Sequence, residues 1–363
     1  LHRIYNFSAG PAVLPVPVLE EASQAILEIG GSGMSILEVS HRGKQYDPIH
    51  AAAMENALKV LNLSPEEYAV ILLGGGASTQ FTLLPMNFLA AGETADYVDA
   101  GEWGAKALKE AKAYGTVNVA GSSSGTKYDR LPTPLNFSPR GAARYAHITT
   151  NNTIEGTQYL ELPDANGAPL TSDMSSDIFA VNHDFSRFTL LYAGAQKNAG
   201  AAGVTLIVVR RDFLATAKKD LPPMFSYALQ ADKESLYNTP PVFSVYVFNL
   251  VMQWIQAQGG VAAMEARNRE KAALIYDALD AAPEFWSPAV AVKANRSLMN
   301  ITFRLRDESL TDAFLSEAKV NQMDGLKGHR NVGGFRASVY NAFPGEGCTA
   351  LAQLLTDFAR RKG

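Results

Sequence analysis

The chain has 363 residues, 47% of them hydrophobic and 19% charged, the make-up of a globular protein with material for one large core and a smaller second domain. Its 32 basic residues stand against 36 acidic ones, for a formal charge of -4 with no block of like sign, so small metabolites are favoured as partners over nucleic acid or an anionic membrane. The single cysteine, Cys348, excludes an intramolecular disulfide and a cysteine-rich zinc site, and no metal centre is expected.

The opening run Leu1-His2-Arg3-Ile4-Tyr5-Asn6-Phe7 lacks the apolar stretch of a signal peptide, and no apolar run reaches transmembrane length, so a cytoplasmic protein is expected. A helix is predicted over 17–27, with a proline near its start and Gly30-Gly31 beyond its end, and a second over 48–61. Strands and helices then alternate: a strand at 68–73, a helix over 79–89, a strand at 95–98 and a helix over 103–114. Further strands are predicted at 116–119, 143–148, 178–181, 188–192 and 204–209, with 121–141, rich in Ser, Gly and Pro, as a long surface excursion. Such alternation predicts an α/β fold whose seven-stranded sheet is mainly parallel and covered by helices.

From about residue 242 the pattern changes. Helices are predicted over 245–258 and from 262 past 279, a half-buried strand at 297–303, a helix over 310–318, an apolar segment at 335–340 and a last helix over 348–361. The expected division is a large domain at 16–259 and a smaller α+β domain at 260–363, joined by the N-terminal segment 1–15.

Chemistry concentrates at a few places. Lys197 lies in Tyr192-Ala193-Gly194-Ala195-Gln196-Lys197-Asn198-Ala199-Gly200, directly after an apolar run. Small neighbours leave room for a flat cofactor, and desolvation there would free the amine to form a Schiff base with an aldehyde such as pyridoxal phosphate; a surface lysine in a turn is the competing reading. Gly74-Gly75-Gly76-Ala77-Ser78-Thr79 joins a strand to a helix, where backbone N–H groups and two hydroxyls would cradle a phosphate, although a tight turn uses the same residues. Asp173 could hold a protonated pyridine nitrogen or cap a turn, and Trp103 could stack on a flat ring or simply pack. The pairs His41-Arg42 and His329-Arg330, with Arg336 in an apolar strand, offer cations for a phosphate or a carboxylate, or ordinary salt bridges.

Several strings, in one order and spacing, resemble the phosphoserine aminotransferases: Asn6-Phe7-Ser8-Ala9-Gly10-Pro11-Ala12, Glu38-Val39-Ser40-His41-Arg42-Gly43-Lys44, Tyr97-Val98-Asp99-Ala100-Gly101, the Lys197 segment, Phe225-Ser226-Tyr227, Tyr237-Asn238-Thr239-Pro240-Pro241, and Gly328-His329-Arg330-Asn331-Val332-Gly333-Gly334-Phe335-Arg336-Ala337-Ser338. The resemblance runs end to end. It implies a class V pyridoxal-phosphate enzyme of the aspartate-aminotransferase fold, a homodimer with shared active sites that exchanges an amino group between L-glutamate and 3-phosphohydroxypyruvate. Some bacterial members of the family also act on a longer phosphorylated oxo acid on the route to pyridoxine, and the sequence does not decide whether this chain is one of them.

By the same resemblance Lys197 is the Schiff-base lysine and proton carrier, Asp173 pairs with the pyridine nitrogen, Trp103 stacks on the ring and Thr153 bonds its phenolic oxygen. The cofactor phosphate falls to Ala77, Ser78 and Gln196, with Asn238 and Thr239 reaching over from the second subunit. His41, Arg42, His329 and Arg330 are implied to bind the substrate's distal phosphate or glutamate's γ-carboxylate, and Arg336 the α-carboxylate. Some members carry an arginine where Ser78 stands. Sister activities of the same fold, alanine- or serine-glyoxylate aminotransferase and cysteine desulfurase, are the alternatives, along with a phosphate-ligand binding protein without turnover; Cys348, at the start of the last predicted helix, reads as structural.

Overall fold

Residues of alternating direction but uniform apolarity make the central sheet. In this computed structural model, which describes residues 3–330 and 332–363, the chain runs β1 (Tyr5–Asn6), α1 (Val16–Leu27), α2 (Asp47–Leu61), β2 (Tyr68–Leu73), α3 (Gly76–Phe88), β3 (Thr94–Asp99), α4 (Glu102–Ala111), β4 (Thr116–Ser122), β5 (Ala143–Thr149), β6 (Leu170–Asp173), β7 (Phe188–Gly194), β8 (Thr205–Arg210), α5 (Arg211–Leu214), α6 (Tyr227–Asp232), α7 (Val242–Ala257), α8 (Gly260–Asp280), β9 (Trp286–Pro288), β10 (Asn300–Leu305), α9 (Thr311–Val320), β11 (Met323–Asp324), β12 (Phe335–Ser338) and α10 (Gly345–Lys362). Leu1 and His2 of the opening run, and Asn331 of the last motif, lie outside the described residues.

Seven strands form the large sheet in the order β2-β8-β7-β6-β5-β3-β4. Only β8 runs against its neighbours, antiparallel to β2 and to β7, so the sheet is mainly parallel, and β2, β3, β5, β6 and β7 end on the same edge. Val70, Leu72, Leu191, Ala193, Leu206 and Val208 pack into one core with α1, α2 and α7, while Ala69, Ile71, Leu190, Tyr192, Ile207 and Val209 pack into another with α3 and α4. Both sheet faces are therefore dry, which is why these strands read as continuous apolar runs.

One predicted strand is wrong. Residues 178–181 are not in the sheet; they form a buried turn in which Phe179 has φ +61°, and the strand of that region is β6, which carries the polar sequence Leu170-Thr171-Ser172-Asp173. The apolar run is buried without strand partners because side chains serve its carbonyls: Asn341 Nδ2 donates to Phe179 O at 3.0 Å and Asn268 Nδ2 to Ala180 O at 3.2 Å. The helix predicted from residue 79 begins instead at Gly76, so Ala77 and Ser78 lie in its first turn.

A third core gathers the C-terminal elements around Trp286, Phe303, Phe314 and Phe358. It holds the antiparallel sheet β12-β10-β9 and the parallel pair β1-β11, through which Tyr5 and Asn6 meet Met323 and Asp324. Helix α8 serves two cores: Val261 and Met264 pack beside the large sheet, whereas Ala272, Ile275 and Leu279 pack with the C-terminal elements. Among the described residues no helix is long and apolar enough to cross a membrane.

Candidate active site

Ligands of open α/β sheets bind beyond the carboxyl ends of the strands. A cavity of about 430 Å³ lies at that edge, walled on its far side by Arg336 of β12 and by His329. Each strand end delivers a different group to it.

After β2 the chain turns through Gly75, whose φ of +95° and close approach to the Thr79 side chain favour glycine. Helix α3 then starts at Gly76, and its first-turn amides, those of Ala77 and Ser78 among them, have no acceptor within the helix and face the cavity with the positive end of its dipole. Only one of the two hydroxyls expected here is available, because Thr79 Oγ1 donates to Gly75 O at 2.9 Å. After β3, α4 brings Trp103 to the wall, beside Phe81 and with Lys106 Nζ 4.5 Å from the ring centroid.

The loop after β5 supplies Thr153. Its hydroxyl accepts from Lys197 Nζ at 2.8 Å and its carbonyl from Arg336 Nη1 at 3.2 Å, so one residue joins the amine to the guanidinium. Asp173 ends β6, buried, and its Oδ1 accepts from the Ser175 amide at 2.9 Å. Gln196 and Lys197 follow β7 in a turn anchored by Asn198, which donates to Ser176 O at 3.1 Å and accepts from Asn341 N at 2.9 Å.

Burial sets the electrostatics. Desolvation, helped by the charge of Arg336 and opposed by Asp173 and Asp177, pushes the Lys197 amine down to about 8. The Asp173 carboxyl is raised by burial against its Ser175 hydrogen bonds and the charge of Lys197. Behind it Asp177, bonded by Thr150 and Gln158, is pushed by burial up to about 7. Burial and then the charges of Arg336 and Arg330 push the His329 imidazole below its usual range.

The other expected residues lie elsewhere in this chain. His41 and Thr239 line a separate surface groove with Leu37, Asn238 is exposed next to Thr239, and Arg42 and Arg330 are exposed and line neither cavity. Sequence reasoning missed several walls of the pocket: Ala9 and Gly10, Asn151 and Ile154, and Ser175 and Ser176. Gly10 has φ +138°, and its segment is brought in by Ala12 N donating to Gln196 O at 2.9 Å and Tyr340 Oη to Ala9 O at 2.8 Å. Asn151 could have been suspected from its run of polar residues, for its amide donates to Ser176 Oγ and Asn300 Oδ1, both at 2.8 Å. Cys348 is far from this chemistry, sealed in the C-terminal core with its thiol pushed up to about 12 by burial, which removes it as a nucleophile.

Known proteins have similar sequences and the same fold. The pattern described as aminotransferase class-V matches residues 4–351. Over 363 residues the chain is 49% identical to the phosphoserine aminotransferase of Geobacillus kaustophilus (strain HTA426), with 99% of each covered. It superimposes on the phosphoserine aminotransferase of Bacillus circulans subsp. alkalophilus with a TM-score of 0.95, at 47% identity and 99% coverage of both chains. The PLP-bound phosphoserine aminotransferase of Trichomonas vaginalis gives 0.91 at 36% identity, covering 97% of this chain and 99% of that one. With a family pattern running almost end to end and relatives that share their whole lengths with it, the chain belongs to the class V aminotransferase family, among the phosphoserine aminotransferases.

Proposed function

We propose that this protein is a pyridoxal-phosphate aminotransferase that moves an amino group from L-glutamate to 3-phosphohydroxypyruvate, giving O-phospho-L-serine and 2-oxoglutarate, in serine biosynthesis, and that it works as a cytoplasmic homodimer. The observation that carries the reading is the desolvated Lys197 amine, held by Thr153 between a buried carboxylate and a helix N-terminus in one pocket.

The residues present fit the cofactor. Trp103 Nε1 and Arg336 Nε are buried donors without a partner among the described residues, the first turn of α3 offers amides to an anion, and Asp173 is sunk where a cationic ring nitrogen would neutralise it. When bound, pyridoxal phosphate supplies a ring that stores the electron pair left as the substrate Cα loses its proton. Ala77, Ser78 and Gln196 would hold its phosphate, Trp103 one face of its ring, and Thr153 its phenolic oxygen.

Within that frame Lys197 would take the proton from the substrate Cα and deliver it across the transferred nitrogen, a 1,3-shift; an amine near 8 is partly neutral at neutral pH and can do both. Arg336 grips the α-carboxylate common to both substrates, and its unpaired Nε is available for that fork. His329, with Arg330 next to it, faces the variable end. The groove holding His41 and Thr239, with exposed Leu37 and Tyr237 beside it, supports a dimer in which that surface, Arg42 and Asn238 included, completes the second copy's site.

An absorbance titration tests the reading. A visible cofactor band that L-glutamate bleaches and 3-phosphohydroxypyruvate restores is expected; a band that glutamate leaves unchanged refutes the proposed donor.

A further inference from the structure

Glu155 has no part in the reading above. It lies two residues past Thr153, with its carboxyl almost closed to solvent. Oε1 accepts the amide of Glu102, the first residue of α4, at 2.9 Å, serving an N–H that has no acceptor within the helix. Among the described residues Oε2 has no partner, and neither does Asn152 Oδ1, which is also buried. Both unpaired acceptors border the same glycine: a Cβ on Gly101 would stand 2.7 Å from Glu155 Oε2 and 2.6 Å from Asn152 Oδ1. The Asn152 amide is turned this way because its Nδ2 donates to Thr157 Oγ1 at 3.0 Å. Two buried acceptors left unpaired beside one glycine are costly, and a single proton shared between them relieves both.

The geometry points to Glu155 as a neutral carboxylic acid that splints the start of α4: Oε1 accepts from the Glu102 amide, Oε2–H donates to Asn152 Oδ1, and Trp103, the next helical residue, is thereby held at the pocket wall. Burial supports this by pushing the carboxyl up to about 7, against its hydrogen bonds to backbone N–H groups. The charged groups around it pull in both directions: Glu102 on α4 disfavours its ionisation and Arg336 on β12 favours it. Tyr128 faces it from the connection after β4, and Lys127, Asp129 and Arg304 share with it a neighbouring cavity of about 710 Å³. The link to catalysis rests on the proposed function, but the protonation state does not.

The full-length protein is therefore compared with Glu155→Gln and Glu155→Ala. In the infrared, the wild type at about pH 5.5 should show a protonated-carboxyl C=O band that Glu155→Gln lacks. The linkage sign follows from a folded pKa above the unfolded one: the native state keeps a proton that the unfolded chain releases, so this stabilisation is lost as pH rises through about 4.5 to 7. Glutamine keeps a donor for Asn152 and an acceptor for Glu102 but has no proton to lose. Its thermal midpoint should thus gain on the wild type by about 5 °C between about pH 5 and pH 8. The affinity for pyridoxal phosphate should fall about tenfold in Glu155→Ala and recover in Glu155→Gln. A Glu155→Gln protein that melts below the wild type at both pH values, with no band lost, overturns the assignment in favour of an ionised Glu155 facing a reversed Asn152 amide; an unchanged affinity in Glu155→Ala overturns the positioning role. Should Glu155→Gln fail to fold, Asn152→Ala should move the same band to higher frequency, and an unmoved band overturns the pairing.

Discussion

At the floor of the pocket, Asp173 and Lys197 come from the ends of adjacent strands and are enclosed by sheet, turns and the C-terminal elements, with Asp173 held by the Ser175 amide, Lys197 by Thr153 and the Lys197 turn by the Asn198–Asn341 contact. On the outer surface, His41 and Thr239 line a groove that shares no residue with this chain's own pocket, and Arg42 and Asn238 sit exposed on the same loops beside it. The floor needs one chain to set its protonation states, because desolvation does that work. In our proposal the groove and its neighbours supply charge and hydrogen bonds that become specific when the second copy covers them. Reaction type is thus written in the tertiary structure, and in our proposal part of substrate choice is written in the quaternary structure.

The largest expected effect falls on the floor: Lys197→Ala should cut kcat by about 10⁴-fold or more while the protein still folds, since only one hydrogen bond to Thr153 is lost. Steady-state turnover and a melting curve check this, and retained turnover would break the distinction. Next come the anion-binding residues. Arg336→Ala should weaken amino donors and acceptors alike by roughly 2 to 5 kcal/mol, whereas Arg42→Ala and Arg330→Ala should penalise the phosphorylated substrate more. Matching kcat/KM values for both substrates in the three variants would erase the proposed split between common and variable ends. The smallest effect is one of pH. Because burial brings the Lys197 amine down to about 8, pyridoxal phosphate uptake by cofactor-free protein should rise about tenfold per pH unit below 8 and level off above it, whereas an ordinary lysine would keep gaining beyond 10. Stopped-flow absorbance across that range decides between the two.

Sequence reasoning reaches the elements whose signals are local. The buried strands announce themselves through apolar runs, and the Lys197 segment through small residues after such a run. It fails where polarity and burial part company. Residues 178–181 look like a strand because they are apolar, yet their carbonyls are served by Asn268 and Asn341 from far along the chain. Strand β6 passes unnoticed because its Thr-Ser-Asp sequence is polar, although it lies in mid-sheet and delivers Asp173. The three glycines before Ala77 suggest a loop, so the start of α3 is placed three residues too late, although the cradle is still expected at a helix terminus. Ala9 and Gly10 carry no local sign of their place, which depends on β1 pairing with β11 more than three hundred residues later. Neither does Glu155, whose unpaired oxygen is visible only in three dimensions.

Helix α8 gives the molecule a common keel. Its first turns finish the apolar packing beneath the large sheet, and its later turns finish that of the C-terminal elements, so neither half has a complete interior without the same rod. Melting should accordingly proceed as one cooperative event, and cutting the chain at Gly259 would leave two fragments with raw hydrophobic flanks where a conventional linker would leave two independent folds.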